Sequence, residues 1–317
     1  VLLSIVVPCY NEDAVLERLD GRIREALAAL EEADGTLGHE ICYVDDGSTD
    51  GTLELLRKLA ERCPDTRYLS FSRNFGKESA LLAGLRAARG DAVVLMDADL
   101  QHPPDLLSRM LELHREGYLQ VVARRTREGE PAVRSALSRL YYRLANKAMD
   151  VQLIDGAGDF RLLGRPAVDA LLALPEYTRF SKGLFSWIGF PTATFGYRGV
   201  PRGAGRTRWR LRTLVDYGLD GLISFNDRPL RLGIYLGLTL AGLAVVYALV
   251  IAALAAVNGV DVPGYVTLLV AVVGLGGLQM VMLGLVGEYI GRIYYETKRR
   301  PHYLVKESGD APRSGER

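Results

Sequence analysis

The sequence runs to 317 residues, room for one large domain and a smaller module. With 39 Lys and Arg against 38 Asp and Glu, the formal net charge is +1, and global charge selects no nucleic-acid partner. Cys9, Cys42 and Cys63 lack metal-ligand spacing; Cys9 and Cys42 fall in expected buried strands and read as small core residues in a reducing compartment. No signal peptide precedes the first expected strand, and the missing initiator methionine points to a trimmed start.

Apolar strand-like runs occur at Leu2 to Val7, Glu40 to Val44, Arg67 to Phe71, Ala92 to Met96 and Gln120 to Ala123. Helical patterns lie between them, near Ala14 to Glu32, Thr52 to Arg62, Glu78 to Ala88 and Pro104 to Glu116. Thr49 or Asp50 is placed to cap the second helix, and the Pro103-Pro104 pair suits the start of the fourth. Strand and helix in alternation predict an α/β fold with a parallel sheet covered on both faces. Ligands in such folds bind beyond the carboxyl ends of the strands. The polar clusters Pro8 to Glu12, Asp45 to Asp50, Ser72 to Lys77 and Asp97 to His102 all fall at those ends.

Asp97 and Asp99 are the sharpest of these features. In an extended segment residues two apart face the same side, so both carboxylates are expected to meet one divalent cation, with Gln101 as a further oxygen ligand. Hard oxygen donors suit Mg²⁺ or Mn²⁺, and such an ion neutralises a diphosphate leaving group. Arg73 and Lys77, after the third strand end, suit contact with nucleotide or diphosphate, and Gly76 between them allows close backbone approach.

Basic residues crowd Arg124 to Lys147, Arg198 to Arg212 and Arg292 to Arg300, beside apolar spans, where anionic lipid or lipid phosphate is the expected partner. The stretch Arg134 to Met149 has helical spacing and reads either as a helix on a membrane surface or as an ordinary amphipathic core helix. Leu211 to Phe225 invites the same two readings, with Arg208, Trp209 and Arg210 as an interfacial anchor. Leu232 to Val257 and Tyr265 to Val286 carry no charge, and the short loop Asn258 to Gly264 makes them an antiparallel hairpin long enough to span a bilayer. Arg228 and Arg231 before it, and Arg292 with Lys298 to Arg300 after it, place both ends in the cytoplasm. Gly274, Gly276 and Gly277 suit close helix contact in lipid or packing in a homo-oligomer.

Ser4-Ile5-Val6-Val7-Pro8-Cys9-Tyr10-Asn11-Glu12, Val44-Asp45-Asp46-Gly47-Ser48-Thr49-Asp50-Gly51-Thr52 and Asp97-Ala98-Asp99-Leu100-Gln101-His102-Pro103 together resemble the family 2 glycosyltransferases with a GT-A fold. More narrowly, Ser72 to Glu78, Asp155 to Leu162, Asp220 to Phe225 and Pro229 to Leu232 resemble the polyprenyl-phosphate hexosyltransferases, which include bactoprenol glucosyltransferases and dolichol-phosphate mannose synthases. The resemblance extends to about Tyr303.

It implies a GT-A, Rossmann-like catalytic domain over 1–210, an interfacial amphipathic helix at 211–231, a transmembrane hairpin at 232–290 and a cytoplasmic basic tail at 291–317. The location implied is the inner membrane, multi-pass. The activity implied is inverting transfer of a hexose from a nucleotide diphosphate sugar to polyprenyl phosphate. UDP-glucose is the first choice of donor and GDP-mannose its rival. Asp45 inherits base recognition, with Pro8, Tyr10 and Glu12 lining the nucleoside pocket. Asp99 and Gln101 inherit the metal, and Asp97 the ribose or the metal. Asp159 inherits the role of catalytic base, although a phosphate monoester, with a second pKa near 6, is already largely anionic. Arg124, Arg134 and Ser138 inherit the acceptor phosphate.

Arg202 to Trp209 resembles a mobile loop that closes over the donor, with Arg202 reaching the phosphates. Family members often have Glu-Ser-Lys-Tyr where this chain has Arg206-Thr207-Arg208-Trp209. A processive polysaccharide synthase is disfavoured by the missing QxxRW signature, and a non-catalytic membrane scaffold by the retained Asp97, Asp99, Gln101 and Asp159.

Overall fold

The computed structural model describes residues 1–126, 146, 152, 154, 156–198, 228–258 and 264–309. Its first part alternates as the periodicity predicts: β1 (Leu2–Cys9), α1 (Asp13–Ala33), β2 (Gly38–Asp45), α2 (Thr52–Arg62), β3 (Thr66–Phe71), α3 (Lys77–Ala87), β4 (Ala92–Leu95), a 3₁₀ turn (Pro104–Leu106) leading into α4 (Leu107–Arg115), and β5 (Gln120–Thr126). There follow β6 (Ala157–Gly164), α5 (Arg165–Ala173), α6 (Ser181–Trp187), β7 (Thr192–Arg198), α7 (Arg228–Asn258), α8 (Tyr265–Lys298) and β8 (Val305–Gly309). The N-cap of α2 is Gly51 rather than Thr49 or Asp50, with no side-chain cap, although Asp50 Oδ1 accepts from the Thr52 amide at 3.0 Å.

The sheet order among the described strands is β7-β5-β6-β4-β1-β2-β3-β8. The four central strands β4, β1, β2 and β3 are parallel, but the sheet as a whole is mixed, which corrects the all-parallel expectation. β6 runs antiparallel between β4 and β5, and β8 runs antiparallel along β3. The reason lies in composition: β6 carries Asp159 and Arg161, and β8 reads Val-Lys-Glu-Ser-Gly, so neither shows an apolar run.

Alternation along β1 sends Leu3, Ile5 and Val7 to one face, under Leu16, Leu19, Ile23 and Met110. Val6 goes to the other, with Ala80, Leu81, Val168 and Leu184. Helix α3 lies close on this second face because Gly84 has no side chain: a Cβ there would stand 2.2 Å from Val6 Cγ1. Cys9 and Cys42 are buried free thiols.

The expected helix at 134–149 lies outside the described residues apart from Asn146, and so does the expected interfacial helix apart from 228–231. Helices α7 and α8 are 31 and 34 residues long. They meet where Gly233 faces Met282. Among the described residues no helix is long and apolar enough to cross a membrane.

Beyond α8 the chain returns to the sheet. Tyr303 stacks on Phe71 at 4.8 Å, and Glu307 of β8 accepts from Arg57 Nε (2.7 Å), Arg57 Nη2 (2.6 Å) and the Tyr68 hydroxyl (2.6 Å). The Tyr177 amide donates to Glu296 Oε1 at 2.7 Å, and its ring stacks with those of Tyr295 and His302. Within 291–317, read from sequence as a basic tail, lie the end of α8 and strand β8.

At the amino ends of the strands, His39 stands between two carboxylates, 2.5 Å from Glu31 Oε1 and 2.6 Å from Asp65 Oδ2. Both ring nitrogens face acceptors, so the imidazolium satisfies both and a neutral ring only one. The Asp65 contact, more than the Glu31 contact, holds the His39 pKa above its ordinary value against the effect of burial. Burial alone would raise Asp65, but hydrogen bonds from His39 and Arg24 bring it down to about 2.

The signs are opposite. The His39 contribution to stability is complete below the ordinary histidine pKa of about 6.5 and is lost as pH rises through the raised native value; that of Asp65 is present above about 3.9 and lost as pH falls toward its native value. In denaturant titrations His39→Gln is expected to lower the unfolding free energy by about 1–2 kcal/mol at mildly acidic pH. The gap between variant and parent should close at alkaline pH, above the raised His39 value. An equal gap at both pH values would show that no ionised bridge exists.

Candidate active site

Four loops from the carboxyl edge of the sheet, with the start of β6, enclose a cavity of about 500 Å³. Its wall includes Pro8 in β1, Tyr10 and Glu12 after it, Asp46 after β2, Lys77 at the start of α3, Asp97 and Asp99 after β4, and Asp159 in β6.

The loops are tied to one another by short polar contacts. Asn11, at a φ of 56° that asparagine tolerates better than most residues, donates from its amide to Ser48 Oγ and accepts from the Thr49 amide, each at 2.9 Å. Asp46 accepts from the Phe75 amide at 2.7 Å and the Gly76 amide at 2.9 Å, which fastens the β3–α3 loop to the β2 turn. Burial pushes the Asp46 carboxyl up against those two amides.

The antiparallel direction of β6 creates the charge pattern of the site. β4 and β6 pair from Ala92 opposite Gly164 to Leu95 opposite Arg161. Beyond the end of this pairing, Asp97 in the turn after β4 and Asp159 in β6 both line the cavity. Like charges across adjacent strands repel, and Lys77 answers both: its Nζ is 2.6 Å from Asp97 Oδ1 and 2.5 Å from Asp159 Oδ2. Burial would raise the Asp159 pKa, yet the charges of Lys77 and then Lys182 pull it down to about 2.

Asp97 and Asp99 both reach the cavity, though by a different route from strand alternation. β4 ends at Leu95, and the chain then turns, with Leu100 at a φ of 61° and the Gln101 amide donating to Asp99 Oδ1 at 3.1 Å. Their oxygens form a hard donor pair suited to a divalent ion. Among the described residues no group of three or more His, Cys, Asp or Glu is placed to hold a metal. Gln101 stands outside the cavity wall, and its Oε1 accepts from Arg125 Nη1 at 2.8 Å. His102 packs, stacking on Phe160 at 4.8 Å while Nδ1 accepts from the Asp97 amide at 3.2 Å. Burial lowers its pKa.

Asp45 also departs from the expectation. It is 1% exposed, its Oδ1 accepts from the Ser48 amide (2.9 Å) and its Oδ2 from the Ser70 hydroxyl (2.6 Å), so both oxygens serve the turn and it is Asp46 that faces the cavity. Arg73 is exposed outside the wall, with its guanidinium 4.1 Å above the Phe75 ring. Arg124 is exposed at the end of β5, against Gly156. Arg134, Ser138 and Arg202 lie outside the described residues.

The sequence reading missed Lys182, which lines the cavity from the first turn of α6. The only available signal was a single cation in the otherwise apolar or small run Phe180-Ser181-Lys182-Gly183-Leu184-Phe185. It also missed Glu78, whose carboxylate accepts from the Ser181 amide and hydroxyl.

Comparison with known proteins gives two family matches: glycosyl transferase family 2 over residues 4–172, and the GtrB C-terminal hairpin over residues 228–293. A Bacillus subtilis protein that carries the provisional name glycosyltransferase CsbB is 47% identical, the match covering 99% of this chain and 95% of that protein. The prophage bactoprenol glucosyl transferase homolog of Escherichia coli K12 is 38% identical, with 96% of this chain and 98% of that protein covered. The bactoprenol glucosyl transferase of Shigella phage SfX has the same identity and coverage, at 38%, 96% and 98%.

The turn after β2 offers a direct test of how the site is held. Gly47 has a φ of +68°, and a Cβ there would lie 2.3 Å from the Arg73 carbonyl carbon. Gly47→Ala is therefore expected to cost about 1–3 kcal/mol, through overpacking and a disfavoured backbone angle. It should lower the thermal midpoint by several degrees and loosen the β3–α3 loop, measured by thermal unfolding and by hydrogen exchange at Phe75 and Gly76. An unchanged midpoint would mean that the two loops are not packed as described.

Proposed function

The chain belongs to glycosyl transferase family 2 and is a glycosyltransferase; we propose that it moves a hexose, with UDP-glucose as donor, onto polyprenyl phosphate at the cytoplasmic face of the membrane. The observation that carries this reading is the cavity itself: paired carboxylates Asp97 and Asp99 on one wall, Asp159 across from them, and Lys77 between. The polyprenyl acceptor is supported by the hairpin match over residues 228–293 and by full-length relatives named bactoprenol glucosyl transferases. Glucose is preferred to mannose on the names of those relatives.

In this reading Pro8, Tyr10 and Glu12 line the nucleoside side of the cavity. Asp97 and Asp99 would hold Mg²⁺ or Mn²⁺, which when bound would neutralise the leaving diphosphate. Lys77 lies within reach of the same phosphates. Asp159 holds Lys77 in place and faces the sugar. Arg124, with Arg134, Ser138 and Arg202, would supply the acceptor's cations, because arginine binds phosphate through a planar fork.

The hairpin would lie in the bilayer. This rests on the uncharged run Leu232 to Val257 and on exposed apolar side chains along both helices, among them Leu238, Leu243, Leu249, Val272, Met280 and Leu283. The reading puts the catalytic body and both chain ends on the cytoplasmic side, following the basic flanks.

Full-length protein in membranes, given Mg²⁺ or Mn²⁺, undecaprenyl phosphate and labelled UDP-glucose, should form one labelled lipid. Chelation with EDTA should stop it and added metal restore it. Asp99→Ala should reduce the rate by about two orders of magnitude or more. Transfer from GDP-mannose in place of UDP-glucose would reassign the donor. An Asp99→Ala enzyme of undiminished rate at saturating metal would remove Asp99 from the metal site.

A further inference from the structure

Two lysines line the cavity that holds Asp159. Lys77 opens α3 and Lys182 lies in the first turn of α6. The residue after Lys77 is Glu78, and the residue before Lys182 is Ser181. These two neighbours are clamped together: the Ser181 amide donates to Glu78 Oε2 at 3.2 Å and Oε1 at 3.3 Å, and the Ser181 hydroxyl donates to Oε2. The clamp joins segments 103 positions apart in the sequence.

Phe180, Leu184 and Phe185 are each at most 3% exposed and root the same turn in the core, with the Arg161 guanidinium 3.7 Å above the Phe185 ring. Lys182 therefore enters the cavity from a fixed backbone, and its charge bears on Asp159 together with that of Lys77. A second fixed cation beside a reaction that brings two phosphates together has an evident use, since neither phosphate approaches the other without compensation.

We propose that Lys182 binds a phosphate oxygen at the transfer centre, and that Glu78, through Ser181, is the positioning residue that sets Lys182 against Lys77. The inference deepens the glycosyl-transfer reading and rests on it. The oxygen belongs either to the donor diphosphate or to the acceptor monophosphate. Lysine serves either one as a point charge.

The test uses full-length protein in two arms. In the binding arm, UDP, uridine and undecaprenyl phosphate are titrated onto the parent, Lys182→Ala and Lys182→Arg. In the kinetic arm, donor and acceptor are varied in turn. Lys182→Ala should weaken one phosphate ligand about tenfold or more and leave uridine unchanged, with partial recovery in Lys182→Arg. Loss confined to UDP assigns the donor diphosphate; loss confined to undecaprenyl phosphate, with a raised acceptor KM, assigns the acceptor.

Glu78→Ala should move the same constant as Lys182→Ala, and the double variant should be no worse than Lys182→Ala alone, as expected for residues that act as one unit. Glu78→Gln, which keeps an oxygen acceptor for Ser181, should stay near the parent and shows that any loss in Glu78→Ala is not general unfolding. Unchanged affinity for both phosphates in Lys182→Ala would overturn the assignment. Losses that multiply in the double variant would overturn the positioning role. A parent enzyme that binds both phosphates and transfers no sugar would count against the proposed function, while the binding arm would still judge Lys182.

Discussion

Two carboxylates, Asp97 in the turn after β4 and Asp159 in β6, are bridged by one ammonium, that of Lys77. This arrangement depends on the direction of β6. In the antiparallel register with β4, Asp159 comes to the same sheet edge as Asp97; a parallel strand entering at that edge would end there instead of starting. The repulsion so created is met by Lys77, which reaches both carboxylates only because α3 begins over that edge. Helix α3 lies low enough to do so because Gly84 lets it settle onto Val6 and Val44. Strand direction, helix height and ion pairing are thus parts of one constraint.

The carboxyl terminus supports the same place from below. Tyr303 stacks on Phe71, the last residue of β3, and Phe71 in turn meets Phe75 edge-on at 5.8 Å. Phe75 belongs to the loop that carries Lys77, and its amide is held by Asp46. The segment that returns from α8 therefore packs beside the β3–α3 loop and pairs with β3 through β8. Tyr177, clasped by Tyr295, Glu296 and His302, adds a second joint between body and hairpin. Two joints limit how far the cavity can tilt relative to α8, which matters for an enzyme whose proposed acceptor is confined to a surface.

The five strands and four helices of the first 126 residues were legible because each has a strong period and a polar cluster at its end. β6, β7 and β8 were not, since they are partner-defined: Asp159 and Arg161 interrupt any apolar run, and Val305 to Gly309 becomes a strand only by lying along β3. Among the expected site residues, residue type and position suffice to bring Asp97, Asp99, Lys77 and Asp159 to one cavity. Asp45 and Gln101 stand outside its wall, because sequence reveals oxygens but not what already occupies them, here Ser48 and Ser70 in one case and Arg125 in the other. Lys182 was invisible because its nearness to Asp159 arises from packing between α6 and the body, for which no local pattern exists.

The role of Asp159 follows from its company. A general base works best when its pKa lies near the working pH, whereas Asp159 is held far below the usual carboxylate range by Lys77 and Lys182. The proposed acceptor makes a base unnecessary, because a phosphate monoester with a second pKa of about 6 is mostly dianionic near neutrality and its attacking oxygen carries no proton. The harder step is bringing that dianion toward a donor that is itself anionic, a matter of positioning and charge compensation. A carboxylate that holds Lys77 and lies under the charge of Lys182 serves that need better than one that waits for a proton. Lys77 is already held by Asp97 and Asp159, whereas Lys182 comes from a separate helix tied to the start of α3 through Glu78 and Ser181, so the two charges reach the cavity from backbones fixed against each other.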